Sequence, residues 1–425
     1  MTVLVLGSGA REHAIAARLV SGREAADILC APGNPGTAQI GRIAQADLSD
    51  PTSALDLAAR QQVDFTIVGP ELPLSLGIAD CFARAGRLLF GPSQAAARLE
   101  TSKAFAKAFM DRHHVPTARF RTCESLDAAL AVVRSGEFGF PVVLKADGLA
   151  AGKGVVVAED PVAAEAAAIA AMRERRFGAS GDRLVIEECL TGPEVSFFAI
   201  SDGEHALPIG TAQDHKRIFD DDRGPNTGGM GAFAPSPLID SAGEARIMRE
   251  IVNPVIAGMA AEGHPFRGFL FVGLMLTPAG PRVIEFNVRL GDPETQVILP
   301  LIDQPLLPLL VDAAEGRLRT ASCRMGTDKL VGVVIASRGY PESSDGGKPI
   351  HGIEEAERTA TVFHAGTAWR NGVLVTAGGR VLTIVGRGAR FEDAIARAYE
   401  GVGKIHFDGM QYRRDIGKKA LSANA

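Results

Sequence analysis

A carboxylate and an amide two residues apart form the most informative chemical pair in this chain of 425 residues. Glu285 and Asn287 lie in the stretch VIEFNVRLGDPETQ, from Val283 to Gln296. Alternation along a strand puts both side chains on one face. Their oxygens are hard ligands of the kind that hold Mg²⁺ together with water and nucleotide phosphates. A buried strand that ends in a polar turn is the alternative interpretation.

The same stretch continues with further charged groups. Arg289 falls on the same side of the strand, and Gly291, Asp292 and Glu294 follow it. A positive fork beside a metal site is what the transfer of a phosphoryl group requires. The pattern therefore favours phosphoryl-transfer chemistry.

A second motif, FPVVLKADGLAAGKGVVV, runs from Phe140 to Val157. One apolar strand ends in Lys145, a glycine-rich loop follows, and a second strand begins after Gly154. The loop backbone of such a hairpin can fold over phosphates, with Lys145 and Lys153 as positive charges. It is not a Walker A loop, since neither a Ser or Thr after the lysine nor a helix follows. A mobile surface hairpin is the alternative.

Two further segments carry polar groups in suggestive places. The predicted strand Leu184–Ile186 is followed by Glu187 and Glu188, and later by Glu194. This order suits a hinge that binds adenine and a carboxylate that binds ribose. Solvation of surface glutamates explains it equally well. The segment QDHKRIFDDDRGPNTGGMG, residues 213–231, is too rich in glycine and charge for a core element, so we expect a functional or a disordered loop. Within it, the aspartates 220–222 can be simple solvation, and His215 is expected to be structural or hydrogen-bonded rather than a metal ligand.

The elements that position these residues alternate in type. Strands are predicted at 2–6, 26–30, 64–68 and 87–90, with a helix at 11–20 between the first two, which indicates a parallel sheet with ligands beyond its carboxyl edge. At that edge Gly7 and Gly9 could let backbone N–H groups approach an anion. A dinucleotide fingerprint fails, because Glu12 replaces its third glycine and Cys30 leads into no acidic residue. A tight turn and a small phosphate or amine ligand both remain open.

Towards the C-terminus the pattern changes. LVGVVIAS at 330–337 predicts a strand, and residues 373–386 predict two strands about a Gly-Gly turn, followed by a helix over 391–405. We interpret this region as a small packing domain.

Composition sets the frame for these motifs. An apolar fraction of 46%, a charged fraction of 22% and a net charge of −5 are typical of a globular protein and argue against a nucleic-acid surface. Five scattered cysteines form no zinc or disulfide framework. No apolar run is long enough for a membrane span, and the chain starts with strand residues rather than a leader. We expect a cytosolic protein of about three domains, a monomer without nucleic-acid or membrane partners.

The order of the motifs resembles the ATP-grasp superfamily and, within it, the glycinamide ribonucleotide synthetase family. The resemblance rests on GxGxREH, VGPE at 68–71, LKADGLAAGKGV, QDHKR, GPNTGGMGA, EFNxRxGDPETQ and FHAGT at 363–367. It runs from Met1 to near Gly417. It implies an α/β protein with a Rossmann-like substrate domain (1–101), an ATP-grasp domain (102–327) with a lid subdomain (about 123–193), and a C-terminal α+β domain (328–425).

The resemblance also implies a reaction and its residues. The family joins glycine to 5-phosphoribosylamine through glycyl phosphate while ATP becomes ADP and phosphate. Roles carried over by motif are ATP binding for Lys103, Lys145, Gly152, Lys153, Gly154, Glu187, Leu190 and Glu194. Metal binding, with Mg²⁺ or Mn²⁺, falls to Glu285 and Asn287. Catalysis is assigned to Asp214, Lys216 and Arg289. Substrate contacts are expected at Gly7, Gly9, Asp214, Lys216, Arg289 and Asp292.

Three expectations complete the comparison with the family. Many ATP-grasp enzymes carry a metal carboxylate on the strand before the E-x-N strand, but GFLFVGLML at 268–276 offers none, so a second metal is in doubt. The glycine loop at 149–154 is expected to close as a lid over ATP, and FHAGT is expected to be architectural. Another ATP-grasp ligase, such as a biotin-dependent carboxylase component, and a non-catalytic nucleotide-binding module are the alternatives.

Overall fold

Five parallel strands form the sheet of the first hundred residues in the computed structural model, which describes residues 1–25, 27–149, 154–320 and 322–422. The strand order is β3-β2-β1-β4-β5. The strands are β1 (Thr2–Gly7), β2 (Asp27–Pro32), β3 (Arg42–Ile43), β4 (Phe65–Val68) and β5 (Leu89–Phe90). The helices are α1 (Ala10–Ser21), α2 (Thr37–Ile40), α3 (Pro51–Arg60), α4 (Glu71–Ser75), α5 (Ile78–Arg84) and α6 (Gln94–Thr101). The predicted parallel sheet is confirmed.

A smaller antiparallel sheet, of order β6-β9-β7-β8, follows. Ser102 begins its leading helix by accepting a hydrogen bond from the Phe105 N–H at 3.1 Å, the usual role of a serine at a helix start. The elements are α7 (Lys103–Arg112), β6 (Phe120–Cys123), α8 (Leu126–Ser135), β7 (Val142–Ala146), β8 (Val155–Ala158), α9 (Pro161–Met172) and β9 (Leu184–Glu188). The glycine-rich motif therefore is the predicted hairpin, β7–β8.

An eight-stranded sheet of order β16-β15-β10-β11-β14-β17-β21-β18 forms the rest of the framework. Its first part contains β10 (Glu194–Asp202), β11 (Ala206–Asp214), β14 (Gly231–Ala234), β15 (Arg267–Thr277) and β16 (Gly280–Asn287). The helices beside it are α10 (Ser241–Ile247), α11 (Asn253–Ala261), α12 (Thr295–Ile298) and α13 (Leu307–Ala314). Since β14 pairs with a later strand, β17, the sheet continues across the predicted domain boundary at 327/328.

The segment 213–231 is ordered rather than disordered. Between β11 and β14 it forms the two-stranded hairpin β12 (Arg217–Phe219) and β13 (Arg223–Asn226), joined by a 3₁₀ turn at Asp220–Asp222. A disordered loop is therefore excluded, and a functional role for the segment stays a prediction.

The C-terminal region adds α+β elements to the same sheet. They are β17 (Lys329–Ala336), α14 (Ile353–Glu357), β18 (Thr361–His364), β19 (Thr367–Arg370), β20 (Val373–Thr376), β21 (Arg380–Gly388), α15 (Phe391–Val402) and α16 (Lys418–Ser422). The two strands predicted about the Gly-Gly turn are β20 and β21, but within the described chain they pair with other strands instead of with each other. Both edges of β21 are taken by β17 and β18, whereas β20 pairs with β19.

No helix within the described ranges is long and apolar enough to cross a membrane. The predicted α/β architecture, with a parallel N-terminal sheet and antiparallel sheets beyond it, is confirmed.

Candidate active site

Glu285 and Asn287 lie on one face of β16, as the alternation predicted. Their partners on β15 are Gly273 and Phe271. A Cβ atom at Gly273 would lie 3.2 Å from Glu285 Cγ, so this glycine leaves room for the Glu285 side chain. The neighbouring strand supplies space rather than a second carboxylate.

Four cations from separate segments act on Glu285. Burial disfavours its charged form, yet Lys216, Lys145 and Lys103, with a smaller effect of Arg289, hold the pKa of this carboxyl below its ordinary value. We call the region that these five side chains enclose the grasp cleft. A carboxylate ringed by cations is suited to polyanionic ligands, because ligand phosphates replace the carboxylate as partners of the lysines.

Hydrogen bonds hold the base of the glycine-rich hairpin in place. Lys103 Nζ donates to the Gly148 carbonyl at 2.8 Å. Asp147 accepts from the Ala104 N–H, at the start of α7, at 3.1 Å. The Ala146 N–H donates to the Gly154 carbonyl at 2.8 Å. Lys103 therefore lies at the mouth of the loop; Gly152 and Lys153, with the rest of 150–153, lie outside the described residues.

Glu187 is a bridge between two buried lysines. Its carboxylate pairs with Lys145 through one oxygen and with Lys107 through the other. Lys145 Nζ also donates to the Ile284 carbonyl at 3.0 Å. Burial lowers the pKa of Lys107 to about 8 although Glu187 opposes this. The Glu187 side chain thus fixes Lys145 in the grasp cleft, and Lys107 is a participant that the sequence reasoning missed.

Leu190 follows this bridge, in the connection between β9 and β10. It is half-buried and lies in the position expected of the adenine hinge. That role stays a prediction.

Lys216 links the remaining predicted residues. Its Nζ donates to Glu194 Oε2 at 2.7 Å, with both side chains partly exposed. Burial disfavours the charged form of Lys216. The carboxylates of Asp214, Glu194 and Glu285 outweigh burial and raise the pKa of Lys216, so its ammonium group remains charged. Burial raises the pKa of Asp214 in turn.

Glu294, which the sequence analysis noted without a role, is buried behind Asp214. Ser196 Oγ donates to its carboxylate at 3.2 Å. Burial, followed by the charge of Asp214, raises the pKa of Glu294 to about 7. The site therefore contains a carboxyl group that titrates near neutrality.

Arg289 connects the grasp cleft to the N-terminal sheet. Its Nε donates to Glu71 Oε2 at 3.1 Å, its Nη2 to Glu100 Oε1 at 2.8 Å and its Nη1 to the Leu290 carbonyl at 3.2 Å. Glu100 also accepts from the Val288 N–H at 2.8 Å. The guanidinium is thereby held rigidly between two carboxylates. Glu71 lies in the VGPE motif, which could have indicated it.

The glycine loop after β1 is filled by a side chain of its own helix. Glu12 Oε2 accepts from the Gly9 N–H at 2.6 Å, and Glu12 Oε1 accepts from Arg11 Nε at 2.7 Å. A Cβ atom at Gly7 would lie 2.5 Å from Glu12 Cγ. The expectation of a free Gly9 N–H for an anion is corrected, because the Glu12 carboxylate already uses it. The glycines make room for Glu12, and a substrate contact at Gly7 or Gly9 stays a prediction.

Asp292 lies against the same loop. Its Oδ1 accepts from Gln296 Nε2 at 2.9 Å. Burial raises the pKa of Asp292, but the charges of Arg380 and Arg11 outweigh burial and lower this pKa below its ordinary value. We call this second cluster the N-terminal crevice; it contains the carboxylates of Glu12, Glu71, Glu100 and Asp292 and the guanidinium groups of Arg11 and Arg289.

Arg380, from β21, closes the crevice and was missed by the sequence reasoning. Its Nη1 donates to the carbonyls of Gly228 and Asp292, each at 2.5 Å. It therefore ties the GPNTGGMG loop to the GDPETQ turn. No local pattern marks such a residue, since the partners are distant in sequence.

The FHAGT segment is anchored to the N-terminal loops. Asn34 Nδ2 donates to the carbonyls of Ser8 and His364 at 2.9 and 2.8 Å, and the His364 N–H donates to His13 Nδ1 at 2.9 Å. These contacts agree with an architectural role.

The oxygen atoms of Glu285 and Asn287 are the donors available at the expected metal site. Among the described residues, no group of three His, Cys, Asp or Glu side chains could hold a metal ion. Asn287 Nδ2 donates to the Phe286 carbonyl at 2.7 Å, and no hydrogen bond between described residues ends on Asn287 Oδ1 or the Glu285 carboxylate. One carboxylate and one amide oxygen fit a divalent ion whose other ligands are phosphates and water.

Family models match nearly the whole chain. The N, ATP-grasp (A) and C domains of phosphoribosylglycinamide synthetase match residues 1–100, 101–295 and 330–419. The phosphoribosylamine–glycine ligase of Xylella fastidiosa (strain Temecula1) is 49% identical over 99% of this chain and 98% of its own. The ligase of Neisseria meningitidis serogroup A is 46% identical over 99% and 100%.

Solved structures agree. Phosphoribosylamine–glycine ligase from Thermotoga maritima is 34% identical, with a TM-score of 0.86 over 98% of this chain and 100% of that one. A biotin carboxylase from Campylobacter jejuni, at 16% identity and a TM-score of 0.73 over 100% and 95%, shares the fold alone. The chain therefore belongs to the phosphoribosylglycinamide synthetase family, whose ATP-grasp fold uses ATP and a divalent metal ion.

Proposed function

We propose that this protein joins glycine to 5-phosphoribosylamine, forming glycinamide ribonucleotide, ADP and phosphate through glycyl phosphate, as a step of purine synthesis. The observation that carries the proposal is the ring of Lys103, Lys145 and Lys216 about Glu285 and Asn287. A carboxylate is a poor electrophile, and its phosphorylation is governed by positioning and by neutralisation of phosphate charge.

Separate residues would bind the metal ion and the parts of ATP. Glu285 and the Asn287 amide oxygen would hold Mg²⁺ or Mn²⁺, which neutralises phosphate charge when bound. Lys103 and Lys145 contact the ATP phosphates, and Gly154 borders the loop that covers them. Leu190 and the backbone at Glu187 flank adenine, while Glu194, paired with Lys216, accepts from the ribose hydroxyls.

The small substrates lie between the two clusters. Lys216 and Arg289 face the glycyl phosphate, and Asp214 faces the attacking amine. In the second step the amine nitrogen forms a bond to the glycyl carbonyl carbon, the bond from that carbon to the phosphate oxygen breaks, and the nitrogen gives up a proton.

The N-terminal crevice is where we place phosphoribosylamine. Its four carboxylates accept hydrogen bonds from hydroxyl and amino groups. Asp292 and the loop at Gly7 and Gly9 would line this substrate, and Arg380 is the cation available at its rim. A monomer is sufficient for this scheme, because every residue in it comes from one chain.

One assay tests the proposal. ADP release should require glycine and phosphoribosylamine together, and the organic product should contain one of each. Release that depends on bicarbonate and not on glycine would reject the ligase in favour of a carboxylase component. Nucleotide binding without any substrate-dependent release would favour a non-catalytic module.

A further inference from the structure

A buried arginine near the C-terminus lies behind the segment that carries Asp214 and Lys216. The Arg413 side chain is 0% exposed. Its Nε and Nη2 donate to the two oxygens of Asp415 at 2.8 and 2.6 Å, and its Nη1 donates to Asp222 at 2.8 Å and to the Arg217 carbonyl at 3.1 Å. Every nitrogen of the guanidinium group is therefore engaged, and two of its partners belong to the hairpin β12–β13.

All three aspartates of the run at 220–222 contact this C-terminal segment. Asp220 accepts from the Arg414 N–H at 2.7 Å, the Asp221 N–H donates to Asp415 at 3.0 Å, and Asp222 accepts from Lys419 at 2.6 Å. The interpretation as simple solvation was wrong for the side chains of Asp220 and Asp222, which are hydrogen-bonded, whereas the Asp221 side chain is 81% exposed. We call residues 411–419 the C-terminal clasp.

The clasp and the grasp cleft lie on opposite sides of one short segment. Asp214 and Lys216 act on Glu285, whereas His215 between them is buried, and Arg413 and Lys419 add to the effect of burial in lowering its pKa to about 4. Period-two alternation explains this division. Of the two roles expected of His215, the structural one remains, since neither ring nitrogen has a hydrogen-bond partner among the described residues.

The eight-stranded sheet fixes the first part of the segment: Asp214 pairs with Ala232 of β14, and the His215 N–H and carbonyl bond to the Gly231 carbonyl and the Met230 N–H at 2.9 and 2.8 Å. Beyond the sheet, the Lys216 carbonyl accepts from the N–H and Oγ1 of Thr227 at 2.7 and 2.9 Å. Among the described residues, the Lys216 ammonium is held only by the partly exposed Glu194. The direction of its side chain therefore depends on where the hairpin backbone lies.

We propose that the C-terminal clasp, through Arg413 and Asp222, positions the hairpin backbone that presents Lys216 to the substrates, next to Asp214, which the sheet holds. Arg413 is thus a positioning residue rather than a catalytic one. The inference rests on the proposed function, because it assigns these two residues to the reaction. The forked contacts of a buried guanidinium group hold one geometry firmly, and a displacement of about 1 Å at reacting groups costs up to roughly 100-fold in rate.

Two variants and two matched controls test this. Arg413→Lys keeps the charge but cannot make the forked contacts, and Asp222→Asn removes one charge at a half-exposed side chain. Arg414→Gln and Asp221→Asn change the neighbouring residues, which contact the clasp and the hairpin through their backbone N–H groups.

We expect both test variants to lose about tenfold or more in kcat while the KM for ATP changes less than threefold, because Lys103 and Lys145 lie on other elements. Rates are taken per folded molecule, well below the melting temperature of each variant. Amide hydrogen exchange in 214–226 should be faster in the test variants, and the controls should match the wild-type protein in both measurements.

The outcomes separate the alternatives. If Asp222→Asn keeps kcat, or if kcat falls only in proportion to the folded fraction, the clasp is merely structural and the inference is overturned. An equal loss in the controls also overturns it. If Arg413→Lys does not fold, Asp222→Asn alone decides. A wild-type protein without ligase activity rejects the proposed function instead, and faster exchange in the test variants would then still report the mechanical coupling.

Discussion

The grasp cleft and the N-terminal crevice both combine cations with carboxylates and share Arg289, but their other cations differ. The other cations of the cleft are lysines: among the described residues, Lys103 makes one hydrogen bond, to Gly148, Lys145 is held by a glutamate and a carbonyl, and Lys216 pairs with one partly exposed glutamate. The crevice uses arginines, and Arg289 engages all three of its nitrogens. A lysine is a point charge with three donors on a flexible stem, whereas a guanidinium has a fixed fork.

This difference indicates which ligand groups each region is suited to bind. Lys103 and Lys216 can turn towards incoming phosphates at little cost, since each retains donors, whereas Lys145 is held in place by Glu187. In the crevice the charged groups already form ion pairs with one another, and four carboxylates face two guanidinium groups. We expect such a region to bind hydroxyl and amino groups rather than a bare phosphate, so the proposed position for the phosphate of phosphoribosylamine is the rim near Arg380.

The largest expected effect is at the metal pair of the cleft. Glu285→Gln should lower kcat by more than about 100-fold, because the metal loses its one charged protein ligand. Turnover is measured against Mg²⁺ and Mn²⁺ concentration, with circular dichroism to check folding. The exposed Glu137→Gln is the control, and an unchanged kcat at saturating metal would remove Glu285 from the metal site.

A smaller loss is expected at the cleft lysine. Lys145→Ala removes a charge-assisted contact of roughly 1.5–3 kcal/mol, so the KM for ATP should rise about 10- to 100-fold. Lys107 continues to pair with Glu187 in this variant, which protects the fold. Lys107→Met should affect ATP less, since Lys107 lies behind Glu187; the reverse order would show that the two lysines exchange roles.

The crevice is tested by Gly9→Val. Gly9 has φ −86° and ψ 179°, which any residue adopts, so backbone strain is absent. A Cβ atom would lie 2.8 Å from Glu12 Oε2 and 3.5 Å from Asp292 Oδ2. We expect the KM for phosphoribosylamine to rise roughly tenfold, about 1.4 kcal/mol, and those for ATP and glycine to change less.

Two results would contradict this placement. A common rise of all three Michaelis constants would make the loop architectural. No rise at all would move the ribosylamine towards Asp214 and Arg289. Gly326→Val is the control, because a Cβ there meets only the Leu301 carbonyl at 3.4 Å.

The smallest effect concerns Glu294, between the two regions. Burial and Asp214 raise its pKa from 4.5 to about 7 in the folded protein. Between about pH 4.5 and 7 the folded chain therefore binds more protons than the unfolded chain, and the contribution of Glu294 to stability falls as pH rises. Glu294→Gln should remove this fall.

The measurement is the melting temperature at pH 5 and pH 8. The value for Glu294→Gln minus that for the wild-type protein should be higher at pH 8, by roughly 1–3 °C. The exposed Glu204→Gln should show no such pH dependence. An equal difference at both pH values would show that Glu294 does not hold the extra proton.

Prediction from sequence succeeded where a pattern is local. Alternation placed Glu285 and Asn287 on one face, and alternating elements indicated the parallel sheet. It failed where partners are distant. The two strands at 373–386 resemble a hairpin, yet the second pairs with β17 and β18, and Arg380 contacts a turn 88 residues away.

The sequence by itself determined the fold class, the family and the chemical types gathered in the cleft, because residue periodicity and motif spacing are properties of the chain alone. Only the tertiary structure decided which charges neutralise one another. Glu12 occupies the Gly9 N–H, Glu71 and Glu100 hold Arg289, and the aspartates at 220–222 bind the C-terminal clasp. The physical reason is that ion pairs form between whichever groups the fold brings within a few ångströms, whatever their separation along the chain.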